Sequence, residues 1–81
     1  MKLLHVEKGK FFRVVHFDGG IWLENKLRQL GLLPGNHARV VRHAPWNGPV
    51  MIEVDGRTIA LGRGIASKIY VEEEAAECDS H

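Results

Sequence analysis

The side chains with the most chemistry to offer are five histidines and one cysteine in a chain of 81 residues. A structural zinc site draws on clusters of paired ligands a few residues apart, and this chain has no C-x-x-C, no H-x-x-x-H and no second cysteine. His37 and His43 are an even number of residues apart on one predicted strand. They would share a face but lie about 20 Å apart at ~3.3 Å per residue, too far to chelate one ion. The remaining metal candidates are Cys78 and His81, with Glu77 or Asp79 beside them, and gripping iron or zinc there would order a flexible segment at an entropic cost. No cofactor is required on this reading, and metal binding stays open only as a weak divalent ion in the tail. A homodimer that combines ligands from two chains stays open as well.

Covalent and acid–base catalysis lack their partners. Ser67 and Ser80 have no base placed by a rigid element, and Cys78 lies in the tail. Glu53 and Asp55, at i and i+2 of a strand, read as exposed hairpin charges. Gly62-x-Gly64 lacks both the strand-to-helix setting and the lysine of a phosphate loop. A domain of this length buries about 60 to 65% of its unfolded surface, so a substrate cleft of roughly 300 Å³ would consume much of its core. These limits argue against a self-contained enzyme and favour a binding module.

Trp22, Pro45, Trp46 and Met51 are the candidate partner-binding residues. The two tryptophans and the methionine are large apolar groups that a tiny domain leaves outside its core. Clustered exposed apolar surface marks a contact site, and tryptophan is enriched at interface hot spots. The surface they predict lies near the helix and the 45–49 loop. A rival use of the aromatics is stacking on single-stranded nucleic acid, with Phe11, Phe12, Trp22, Trp46 and Tyr70 accompanied by Lys8, Lys10, Arg13, Arg39 and Arg42. Against it, eleven basic and ten acidic residues leave a net charge of only +1. No nucleic acid is expected, and the small nucleic-acid-binding barrel is kept as an alternative.

That near-neutrality hides an asymmetry. Through Val71 there are eleven Lys and Arg against five Asp and Glu, a balance of +6, and the other five acids follow in residues 72–81. Residues 1–71 are read as one domain and residues 72–81, without Lys, Arg or a large aliphatic residue, as a mobile acidic tail. Whether the tail screens the domain's basic surface is a question the totals conceal.

The elements that must position these residues follow from periodicity. Residues 10–17 are rich in aromatic and β-branched types and predict a strand. Leu23, Leu27 and Leu30 fall on one helical face within 21–30, Glu24 and Arg28 form an i, i+4 pair, Asp18 lies near the N-cap, and Gly31 supplies a left-handed stop that folds Leu32 back on Leu27. Leu33-Pro34-Gly35-Asn36 has type II turn chemistry. Residues 37–43 predict a strand with Ala38 and Val40 inward. Residues 50–54 and 57–61 predict a hairpin about Asp55-Gly56, and 69–71 a last strand after a short helical turn at 65–68. The fold class is mainly β: about five short antiparallel strands with one inserted α-helix, closed into a small barrel that hides its edges. Met1 is followed by Lys2, Leu3, Leu4 and the polar His5, so no signal-peptide region develops, and no window approaches the roughly 18 apolar residues of a membrane span. With no disulfide to form, a cytoplasmic location without membrane insertion is expected.

The run Leu27-x-x-Leu30-Gly31-Leu32-x-Pro34-Gly35, with Ala38-x-Val40, Gly48-Pro49-Val50, Ile59-Ala60-Leu61 and Ala66-x-x-Ile69-x-Val71, resembles the FeoA family, the ferrous iron transport protein A domain, over about residues 3–72. The resemblance implies an SH3-like barrel and a non-enzymatic cytosolic accessory of bacterial ferrous iron uptake that binds the membrane GTPase permease FeoB. The same module occurs fused to metal-dependent transcription regulators as an interaction domain, which makes a metal-responsive interaction domain a further alternative. This chain has no helix-turn-helix and resembles the free-standing version. No catalytic residue comes with the resemblance, and Trp46, Cys78 and His81 are not part of its pattern.

Overall fold

A computed structural model describes residues 1–74. A 3₁₀ turn (Leu3–His5) precedes β1 (Phe11–Phe17), α1 (Gly20–Gln29), β2 (His37–His43), β3 (Val50–Val54), β4 (Arg57–Leu61), α2 (Arg63–Ala66) and β5 (Ile69–Glu74). The fold is mainly β, and the five strands form one antiparallel sheet in the order β4-β3-β2-β1-β5. Alternation puts Val50, Ile52 and Val54 of β3 inward, together with Ala38 and Val40 of β2, the pair expected there. Leu23 and Leu27 of α1 and Leu3 and Val6 of the N-terminal segment join the same core.

Two bulges bend this sheet around its contents. Register shifts between Val14 and His16 on β1 and between Val40 and Arg42 on β2. An extra residue reverses the inward parity and increases the local twist, so the buried positions of β1 run Phe12, Val14 and then Phe17. On β2 the same device overturns the expectation that His37 and His43 share a face. Beyond the bulge His43 pairs with Val50, a core residue, and its Nε2–H donates to the Val6 carbonyl at 2.7 Å.

The strand order is linear, and among the described residues no ladder joins β4 to β5. The outer edge of β5 is paired instead by the chain's start: Lys2 bridges Tyr70, the Val71 N–H donates to the Met1 carbonyl at 2.7 Å, and the Met1 ammonium donates to the Val71 carbonyl at 3.0 Å. β5 also runs three residues past the boundary expected at Val71. Glu72, Glu73 and Glu74 pair with Arg13, Phe12 and Phe11 of β1, so this part of the predicted tail belongs to the sheet. The β1 partners at that edge are what extend the strand.

The turns follow their residues closely. Gly31 has φ 89°, and the Leu32 N–H donates to Leu27 and the Gly31 N–H to Arg28, both at 2.9 Å, forming the paired bonds of a Schellman stop. The other end of α1 differs from expectation: Gly19 is the N-cap and no side chain caps it, so Asp18 does not serve. The Glu24–Arg28 pair also does not form among the described residues. Asp55 and Gly56 both have positive φ, which takes Asp55 out of the strand and into the turn joining β3 and β4.

Gly31→Ala should lower stability by about 1–2 kcal/mol, because an L-residue is strained at that φ. Gly64→Ala, in α2 with open space at its Cβ, should be neutral or mildly stabilising. Urea unfolding of the two variants tests the contrast. Equal losses would show that the left-handed stop does not matter.

Candidate functional site

Three of the described histidines are engaged one by one rather than gathered. His16 stacks on Tyr70 with ring centroids 4.7 Å apart, His37 Nδ1 bonds Glu74 Oε1 at 2.7 Å, and His43 holds Val6. Among the described residues no three of His, Cys, Asp or Glu come together to hold a metal. Cys78 and His81 lie outside the described residues. No buried polar or charged residue occurs among the described ones, so the interior there carries no group poised for chemistry.

Charge is organised across the outer face of the sheet. Arg39 of β2 bonds Glu53 of β3 at 2.7 Å, Arg13 of β1 pairs with Glu72 of β5, and His37 of β2 reaches Glu74 of β5. These exposed pairs contribute little stability, about 0–1 kcal/mol each. Their effect is to neutralise the middle of the face, where Phe11 is 37% exposed. Phe12 and Phe17 are buried, which removes two aromatic rings from any outer stacking surface.

The most exposed of the large apolar side chains are Trp46, Ile21 and Trp22, with Met1, Leu33, Phe11 and Val15 less so. Trp22 is 68% exposed on the first turn of α1, with Lys26 Nζ 5.9 Å from its ring centroid and Asn25 and Gln29 lining a shallow groove beside it. Ile21, 70% exposed, precedes it on the same turn. Sequence reasoning missed Ile21, although it stands off the Leu23–Leu27 stripe and that spacing was available as a signal. In the turn between β2 and β3, Trp46 is 94% exposed and Pro45 is exposed, while Met51 of β3 is half-buried. The four candidate residues thus stand on α1 (Trp22), on the 45–49 loop (Pro45 and Trp46) and on β3 (Met51).

The Trp46 turn is built with unusual backbone. Residues 45–48 form a tight turn in which the Gly48 N–H donates to the Pro45 carbonyl at 3.1 Å and the Ala44 N–H to Pro49 at 3.0 Å. Trp46 and Asn47 have φ 60° and 58°, the left-handed pair of a type I′ turn. For a bulky L-residue that conformation costs about 1–2 kcal/mol. The surroundings are basic: Arg42 lies across from Met51, and the chain from Val6 to Lys10 runs beside β2, with Gly9 and Lys10 bonded to Val40 at 2.7 and 3.0 Å. Lys8, Lys10 and Arg42 are exposed, and none is in an ion pair among the described residues.

Comparison with known proteins places this arrangement. Residues 1–73 match the family model of the FeoA domain. A protein of Methanocaldococcus jannaschii named for Fe(2+) transport, a protein A, is 37% identical over 71 residues, covering 88% of this chain and 84% of that one. The crystal structure of an iron uptake regulatory protein, FeoA, superposes with a TM-score of 0.83 at 31% identity, covering 91% of this chain and 96% of that chain. The zinc-bound structure of ScaR superposes with a TM-score of 0.82 at 26% identity, covering 89% of this chain but 36% of that chain.

Both tryptophans should emit as solvent-exposed indoles and be quenched almost fully by acrylamide. In a Trp22→Phe variant the remaining Trp46 signal should be the more accessible of the two. Shielded, blue-shifted emission from Trp46 would contradict its placement.

Proposed function

The chain belongs to the FeoA domain family, and on that premise we propose that it is a non-enzymatic accessory of ferrous iron transport that docks on the cytosolic part of a FeoB-type membrane GTPase permease. The observation that carries the docking reading is the pair of exposed tryptophan surfaces, Trp22 with Ile21 and Trp46 with Pro45 and Met51, on a domain whose other large side chains mostly fill its core. Iron transport enters through the relatives, whose names refer to Fe(2+) transport and iron uptake. A cytoplasmic site of action fits this reading, and no helix among the described residues is long and apolar enough to cross a membrane. The interaction needs no cofactor. Likeness to part of ScaR supports the interaction-module side of the reading, since the same small fold there forms one portion of a larger protein.

Isothermal titration of the full chain against the permease's cytosolic part tests the proposal. Wild type should bind, and a Trp22→Ala/Trp46→Ala double variant should keep its fold and bind at least ~30-fold more weakly, as loss of a hot spot of about 2 kcal/mol implies. Unchanged affinity in the double variant would discard both surfaces, and no binding by wild type would discard the permease as partner.

A further inference from the structure

We infer that Trp46, at the tip of the turn between β2 and β3, with Arg42 on the strand that leads to it and Lys8 and Lys10 on the chain that runs beside that strand, is an anchor that inserts into an apolar, acid-rimmed pocket on a protein partner. This rests on the docking reading above and narrows it to one of the two exposed tryptophans and to one partner chemistry.

The first ground is that Trp46 serves neither the turn nor the core. At 94% exposure it contributes almost no burial to the fold. Its φ of 60° belongs to a turn position that Asn, Asp or Gly occupies far more easily than an aromatic residue. Strained positions of this kind cluster at contact and active sites, where the surrounding structure holds them. A tryptophan that gains from neither local preference nor burial presents its whole ring for contacts outside the chain.

The second ground is presentation. Pro45 and Pro49 bracket the turn, two backbone bonds close it, and Gly48 is packed so tightly that a Cβ there would lie 2.8 Å from Ala44 Cβ and 2.9 Å from the Pro45 carbonyl oxygen. A ring held out on so constrained a turn loses little backbone freedom on binding, which is how rigid aromatic anchors gain affinity. Trp22 is less free, being less exposed and having Lys26 over its ring.

The third ground is charge. Lys8, Lys10 and Arg42 stand near this turn with Glu7 as the one acid in the 6–10 segment beside them. Such a rim selects an acidic counterpart and speeds encounter with it. Single-stranded nucleic acid fits less well, because it needs successive aromatic platforms along a continuous basic groove. Passing from Trp46 toward the middle of the outer face, the next exposed ring is Phe11, which has Glu74 of β5 as one cross-strand neighbour and Arg39, paired with Glu53, as the other.

The test uses the full chain with Trp46→Asn and, separately, the pair Lys8→Glu and Arg42→Glu. Thermal unfolding of Trp46→Asn should be at or above the wild-type midpoint, by up to about 4–8 °C if the strain is released. Titration into the permease's cytosolic part should weaken at least tenfold for Trp46→Asn. The charge pair should weaken binding and flatten its decline with salt. A thymidine oligonucleotide should leave Trp46 fluorescence unchanged. Binding of Trp46→Asn within twofold of wild type overturns the anchor while leaving the docking reading intact, as does loss of binding confined to Trp22→Ala. A clearly lower midpoint for Trp46→Asn, or saturable quenching by the oligonucleotide, also overturns it. If wild type itself fails to bind, the docking reading falls and takes the anchor with it.

Discussion

A single antiparallel sheet has to wrap one small core, and the two bulges at Val14/His16 and Val40/Arg42 are what let it do so. Without the parity changes they introduce, β1 could not turn Phe12, Val14 and Phe17 all inward along one strand. With them, seventeen apolar residues from every strand, both helices and the N-terminal segment meet in one cluster that contains no polar side chain among the described residues. The core is thereby filled by Leu, Val, Ile, Phe and Ala. Large apolar groups outside it, Trp46 above all, gain nothing from the fold.

The same register decides the electrostatics of the outer face. Composition places +6 on residues 1–71 and five acids beyond them. Because β5 continues through Glu74 alongside β1, two of those acids reach across to Arg13 and His37, while Glu53 meets Arg39 from the other side. The centre of the face is thus close to neutral. Among the described residues Lys8, Lys10 and Arg42, near the β2–β3 turn, are in no ion pair, nor are the bases of the two helices. A charge asymmetry visible along the chain becomes, in three dimensions, a contrast between paired charges in the middle of a sheet and unpaired bases around it.

Much of this was legible in residue types and spacing. Gly31 after a Leu23–Leu27 stripe, Pro34-Gly35 in a four-residue turn and Asp55-Gly56 between two alternating runs each have few conformations open to them. The stop of α1, the reversal after it and the β3–β4 hairpin follow those local preferences. Where the reading failed, a non-local partner was involved. Asp18 has cap chemistry, but Gly19 takes the N-cap position. Glu72 to Glu74 read as tail because nothing local makes three glutamates a strand, and only the exposed flank of β1 supplies their pairing.

The sequence by itself determined the fold class, the strand order along the chain, the inward residues Ala38 and Val40 of β2, and the absence of paired ligand or nucleophile motifs, because all of these depend on period, turn chemistry and spacing. It also singled out Trp22, Pro45, Trp46 and Met51 by size and type. Only the tertiary structure decided how far each is exposed, with Trp46 and Trp22 largely outside the fold and Met51 half-buried. It alone decided that His43 leaves the face of His37 after a bulge and bonds the Val6 carbonyl, and that Trp46 sits in a left-handed turn. Pairing register arises from partners distant in sequence, and a left-handed φ at Trp46 runs against the preference of its residue type, so no spacing within a short stretch encodes either.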